Sequence, residues 1–138
     1  DEAASVDRRI AAHGLGDRIV LTGAICETAL ERELDAADLY VSASLFEGYG
    51  MALAEAMARG LPIVATRAGA VPDTVPAAAS VLVPPGDADG LAEAIRSLLD
   101  QPDRRRRLAE HARLHARSLP SWAQTAATIL RILREAGR

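Results

Sequence analysis

Two glutamates eight positions apart, Glu47 and Glu55, are the residues of this chain best suited to chemistry. Glu47 opens the run Glu47-Gly48-Tyr49-Gly50, and Glu55 stands among Met51, Ala52, Leu53, Ala54, Ala56, Met57 and Ala58. Gly48 and Gly50 let the backbone turn tightly. They bring the free amide N–H groups of a following helical turn towards an anion, which is the geometry of a phosphate seat. A carboxylate on a helix with almost no polar face costs on the order of several kcal/mol to bury unpaired. Three partners would suit it: Arg59 four residues on, a backbone amide of a neighbouring loop, or a ligand hydroxyl. A Gly-x-Gly turn is common and often only geometrical. Here it leads into a helix with one acid before it and one inside it.

The elements that must position these residues read as a parallel α/β sheet with flanking helices. Met51–Ala58 is made of strong helix formers, and Gly60, with Pro62 behind it, closes that helix. Ile19–Thr22, Leu39–Val41, Ile63–Ala65 and Val81–Val83 are short apolar runs without alternation, as strands covered on both faces require. Four such runs separated by helical stretches predict the parallel sheet. Ligands of such sheets sit outside the carboxyl ends of the strands, where residues 23–27, 42–50 and 66–73 would converge. Ser42 and Ser44 end a strand there, and Asp73 in Gly69-Ala70-Val71-Pro72-Asp73 either caps a short turn or faces the ligand.

Helices account for the rest. Ala3–His13 turns Val6, Ile10 and Ala11 inward, and Thr28-Ala29-Leu30-Glu31 reads as a capping box for a helix reaching about Ala37. Asp87 is the expected cap of a helix that faces Leu91, Ala94, Ile95, Leu98 and Leu99 to the core. Pro102-Asp103 starts the next, through Leu108, Ala112 and Ala116. Ser121 and Gln124 form a second capping box, with Trp122 as a packing anchor and Ile129, Ile132 and Leu133 on the apolar face.

Composition narrows the classes. At 138 residues the chain is one domain by the usual prior. Hydrophobic residues make up 49% and aromatics only 3%, so the core is aliphatic, and stacked-base nucleic-acid modules are disfavoured, as the net charge of −3 also argues. The single cysteine, Cys26, fits a reducing compartment. There is no 18-residue apolar run, signal peptide or lipidation signal. Arg104–Arg107 is either a solvated helix face or a contact for anionic lipid headgroups or nucleic acid. His111 and His115 have the spacing of a metal pair but lack a third ligand. No Ser-His-Asp or Cys-His arrangement can be assembled.

The run Phe-Glu-Gly-Tyr-Gly-Met-Ala-Leu-Ala-Glu-Ala-Met-Ala-Arg-Gly-Leu-Pro-Ile-Val-Ala-Thr, Phe46 to Thr66, resembles the signature of retaining GT-B glycosyltransferases of family four, the group 1 glycosyl transferases. Val20-Leu21-Thr22-Gly23, Ala37 to Ser44, Gly69 to Asp73, Val81 to Asp87 and Ser121-Trp122 follow in the order that family shows. The resemblance implies the C-terminal, donor-binding half of a GT-B fold: residues 1–138 a single Rossmann-like nucleotide-sugar-binding domain without its first strands, with 87–138 a C-terminal helical segment. It implies retaining transfer of a hexosyl group from a UDP-, GDP- or ADP-sugar, with no cofactor and no required metal. Glu47 would be the catalytic contact to the donor sugar, and Glu55 would bond the ribose hydroxyls. The backbone of Gly48, Tyr49, Gly50, Met51 and Ala52 would hold the sugar and diphosphate.

A glycan, lipid or small-molecule acceptor would come through an N-terminal domain outside this chain, which begins at Asp1 rather than Met and after the family's diphosphate-gripping Arg and Lys. The expected location is the cytoplasm, with peripheral contact at the inner face of the membrane left open, and no nucleic-acid partner. Ala43, Ala52, Ala70, Asp73 and Ser80 depart from the family's usual residues. Two other readings stand beside this one. A non-catalytic nucleotide- or partner-binding module would have no need of Glu55, and Glu47 with its glycines argues against a GT-B epimerase or phosphorylase.

Overall fold

The computed structural model describes residues 2–137. In chain order the elements are α1 (Glu2–Ala12), α2 (Glu27–Ala36), β1 (Tyr40–Ser42), α3 (Met51–Ala58), β2 (Ile63–Thr66), α4 (Val71–Thr74), a 3₁₀ turn (Ala77–Ala79), β3 (Ser80–Val83), α5 (Ala88–Asp100), α6 (Pro102–Ala116) and α7 (Trp122–Ala136). They gather into two compact units, Asp1–Glu33 and Leu34–Arg138.

In the first unit α1 buries Ile10 but leaves Val6 and Ala11 exposed, and ends where Gly14 takes φ +64°. Ile19–Thr22, expected as a strand, forms none, and Val20 is 82% exposed. A strand exists only by pairing its N–H and C=O groups with a neighbour. Among the described residues the ladder holds only three strands, and this run joins none of them. Thr28 is no cap either. Leu30 N donates to the Cys26 carbonyl at 3.0 Å, so the helix starts at Glu27 and Thr28 lies inside its first turn.

The second unit is built on a parallel sheet in the order β1-β2-β3, with Tyr40 opposite Ile63 and Ile63 opposite Ser80. All four residues of β2 are buried, whereas Val41 at the centre of β1 is exposed, so full cover on both faces belongs to the central strand. Side chains alternate across β2. Ile63 and Ala65 pack with Leu53, Met57, Val71 and Ala112, and Val64 packs with Ala94, Leu98 and Leu108. Helix α6 thus contributes to both clusters.

Helix α3 has the expected limits. Leu53, Ala56 and Met57 face the core, and Gly60 closes the helix at φ +75° with its N–H donated to the Met57 carbonyl. Asp87 caps α5 by accepting from Gly90 N at 2.8 Å. Leu98 is fully buried there, but Leu99 turns out to solvent, since one residue further on an α-helix is about 100° around. Both halves of the Ser121–Gln124 capping box are present on α7. That helix nevertheless buries no residue, and Trp122, expected as a packing anchor, is 78% exposed, as Ile129, Ile132 and Leu133 are also exposed. No helix among the described residues is long and apolar enough to cross a membrane.

The contrast between neighbours on α5 is directly measurable. Leu98→Ala is expected to lower the urea-unfolding free energy by about 2–5 kcal/mol. Leu99→Ala should change it by no more than about 0.5 kcal/mol, and equal losses at the two positions would contradict this orientation of the helix.

Candidate functional site

The candidate site forms where the chain leaves β1 and turns into α3. The Glu47 carboxylate accepts from Gly50 N at 3.0 Å, closing the turn by its own side chain. Gly50 takes φ +89°, and a Cβ there would lie 2.9 Å from Leu53 Cδ1, so glycine is required. Gly48 has no positive φ and nothing within 4 Å of where a Cβ would stand. The tight turn expected of both glycines therefore rests on Gly50, and Gly48 only keeps the approach open.

Three hydrogen bonds fasten this loop to the segment after β2. Thr66 Oγ1 donates to the Ser44 carbonyl, Ala70 N to the Glu47 carbonyl at 2.9 Å, and Thr74 Oγ1 to the Tyr49 carbonyl at 2.5 Å. His115 Nε2 lies 3.1 Å from the Thr74 carbonyl, an acceptor only, so Nε2 carries the proton and α6 braces α4. This is the place of His115 in the fold, and no group of three or more His, Cys, Asp or Glu able to hold a metal occurs among the described residues. With its carbonyls held this way, the loop enters α3 through Gly50. Ala54 N is the first to bond back, to the Gly50 carbonyl at 2.9 Å, so the amides of Met51, Ala52 and Leu53 have no intrahelical acceptor.

Gly69 makes the clasp possible. It takes φ +52°, and a Cβ would stand 2.2 Å from the Glu47 carbonyl oxygen. Asp73 is exposed and α4 has no side-chain cap, so its expected capping role is not taken up. Arg67, which the motif reading passed over, is exposed in the same loop.

Glu55 corrects an expectation. It is exposed rather than buried, and its carboxylate makes no hydrogen bond or ion pair among the described residues, while its carbonyl accepts from Arg59 N at 3.3 Å. Arg59, its expected partner, instead donates to Asp35 Oδ1 at 2.6 Å. Glu47 is half-buried, and Tyr49, Met51 and Ala52 are exposed beside it. A residue the sequence reading missed ties the two acids together. The Tyr40 phenol is held above its ordinary value of 10.0, first by burial and then by the negative charges of Glu47 and Glu55. Its signal in the sequence was a polar-tipped aromatic between the aliphatic Leu39 and Val41.

A family model of the glycosyl transferases group 1 matches residues 1–115. The chain belongs to this family. It is 35% identical over 132 residues to the MMP alpha-(1->4)-mannosyltransferase of Mycolicibacterium hassiacum, covering 94% of this chain and 32% of that protein. The sucrose-phosphate synthase of Thermosynechococcus elongatus matches its fold with a TM-score of 0.88 at 32% identity, over 98% of this chain and 34% of that one. HepE of Anabaena, solved in complex with UDP, has the same fold at a TM-score of 0.87 and 24% identity, over 96% and 36% of the two chains. The chain thus spans about a third of the length of the relatives it matches. A parallel sheet with flanking helices is the architecture it shares with these GT-B glycosyltransferases.

Two measurements test the geometry of this candidate site. Gly69→Ala is expected to cost about 2 kcal/mol or more, because the neighbour that must move is backbone and the φ is strained. Chemical shifts of the Glu47–Gly50 amides should move with it, and an unperturbed loop would refute the clasp. Tyr40 gives a pH-dependent test. In a Tyr49→Phe variant one tyrosine remains, and its absorbance midpoint should lie above 10.0 and fall in both Glu47→Gln and Glu55→Gln. Since the unfolded phenol titrates near 10, this contribution to stability is full below about pH 10 and is lost as pH rises towards the folded-state value. A midpoint indifferent to both glutamates would separate them from Tyr40.

Proposed function

We propose that this chain is the donor-binding part of a retaining glycosyltransferase that takes a hexosyl group from a nucleotide-diphospho-sugar. Glu55 bonds the ribose hydroxyls, Glu47 contacts the donor sugar, and the backbone from Gly48 to Ala52 receives the sugar and diphosphate. The observation that carries this reading is the helix start itself: Gly50 opens α3 with three amides lacking intrahelical acceptors, flanked by a half-buried and an exposed carboxylate. Charge that grows on a departing nucleoside diphosphate is stabilised where oriented amides and the positive end of a helix already point. Arg67 adds a cation on the same sheet edge.

A solvent-facing carboxylate with no side-chain partner among the described residues suits neutral hydroxyls rather than phosphate, which supports the reading of Glu55 as a contact to the ribose. Glu47 is held at Oε1 by Gly50 N and keeps acceptor capacity for a sugar hydroxyl. The reading asks for no metal, and it places transfer in the cytoplasm. The acceptor would bind through a part of the protein outside these residues. HepE was solved with UDP and with UDP-glucose, which makes UDP the first nucleotide to try, beside GDP and ADP.

Calorimetric titration with the three nucleotides is expected to show one preferred ligand, bound equally in the presence of EDTA. Glu55→Ala should weaken it by about ten- to a hundredfold, the equivalent of one hydrogen bond to a charged group. Binding that ignores the substitution would remove Glu55 from the site.

A further inference from the structure

A second site lies at the opposite end of α3, unconnected with donor binding. A cleft of about 680 Å³, within the range of small-molecule sites, is lined by Arg59, Arg105, Arg106, Arg113, Asp35 and Asp38. Pro62, which also lines it, accepts from Tyr40 N just before β1 and β2 begin. The cleft is therefore at the amino ends of the strands, whereas the glutamates are at the carboxyl ends. The eight residues of α3, about 12 Å of helix, separate the two.

Four guanidinium groups stand against Asp35 and Asp38 in the lining and Asp103 beside Arg106, which leaves this cleft one positive charge in excess on a chain whose net charge is −3. Such a local field draws anions. The arginines are also held in place before any ligand arrives. Arg105 Nη1 donates to the Leu98 and Leu99 carbonyls at 3.1 and 3.2 Å, and its Nη2 lies 3.5 Å from Asp38. Arg106 Nη2 is 2.7 Å from Asp103, and Arg59 pairs with Asp35.

Arg113 lies over Gly60, where a Cβ would come within 2.2 Å of its Nε, and it reaches the Arg59 carbonyl at 3.5 Å. Each guanidinium has five N–H donors, so Arg105, Arg106 and Arg113 retain donors beyond these bonds. The first turn of α6, starting at Pro102 on the cleft wall, adds the positive end of a fifteen-residue helix. Forked donors lining one space match the oxygens of phosphate.

We propose that this cleft binds a phosphate-bearing ligand, either a free phosphate ester or a lipid headgroup. Arg105 and Arg106 of the run at 104–107 then belong to an anion site. Arg104, half-buried, supports it from behind by donating to Ser97 Oγ at 2.9 Å.

Titration with inorganic phosphate, followed by calorimetry and phosphorus NMR, is expected to give saturable, salt-sensitive binding. Arg106→Gln/Arg113→Gln should weaken it by about tenfold or more, while Glu55→Ala leaves it unchanged. Arg106 is exposed and among the described residues bonds Asp103 of its own helix turn, so Arg106→Gln alone keeps the fold and should weaken binding by about threefold. If phosphate alone does not bind, sedimentation with vesicles of phosphatidylcholine and phosphatidylglycerol that is lost in the double variant assigns the headgroup. Binding of neither probe, or binding that a folded double variant retains, overturns the proposal. Because the donor-site variant is carried in parallel, failure here is distinguishable from failure of the nucleotide reading.

Discussion

The clasp between residues 44–49 and 66–74 is the constraint on which the site depends. The carbonyls of Ser44, Glu47 and Tyr49 all accept from one side, from Thr66 Oγ1, Ala70 N and Thr74 Oγ1. A loop whose carbonyls are spent on a neighbour presents its next amides elsewhere, and here those are the first amides of α3. The Gly69 φ of +52° and its missing Cβ let the two backbones meet. The central strand β2 anchors the clasp, since Thr66 is its last residue and is itself buried. Sheet, clasp and helix start therefore form one mechanical unit, and Glu47 is positioned through its backbone as firmly as through its carboxylate.

Much of this was legible in the sequence because its signals are local. The α3 limits, the Gly60 closure, the Asp87 cap and the Ser121–Gln124 box follow from residues within one helical turn of each other, and each is found where the pattern puts it. Ile19–Thr22 was not legible, because being a strand is a property of a pair, and an apolar run carries no information on whether its partner is present. Leu99 and Trp122 fail for a related reason. An apolar residue beside a core position has to be assigned to a face, and the tertiary partner that decides the face is distant in sequence.

Glu55 shows how alanine misleads a reading by polarity. Among the neighbours that made α3 look uniformly apolar, Met51, Ala52 and Ala58 are on the exposed side with Glu55, while Leu53, Ala56 and Met57 face the sheet. Alanine is indifferent between the two environments, so a solvent-facing stripe built from it has no polar signature. The carboxylate is then no buried charge in need of rescue. It has no side-chain partner among the described residues, and the same outward stripe places it near enough to Glu47 for both to act on the Tyr40 phenol.

Charge along α3 is arranged as the helix dipole favours. Glu47 sits at the amino end, where partial positive charge stabilises a carboxylate, and Arg59 and Arg113 sit at the carboxyl end, where exposed carbonyls favour cations. Each end thereby gains from the helix it flanks, and each is left suited to a different ligand. At the amino end the acids repel phosphate unless it sits on the amides, so on the proposed reading a ligand brings hydroxyls to the carboxylates and phosphate to the backbone. A nucleotide-sugar does both. At the carboxyl end the Met57 and Ala56 carbonyls accept from Gly60 N and Leu61 N, Arg113 reaches the Arg59 carbonyl, and Arg59 is itself paired with Asp35. The division follows from one short helix buried along one face, with its two ends at opposite edges of the sheet.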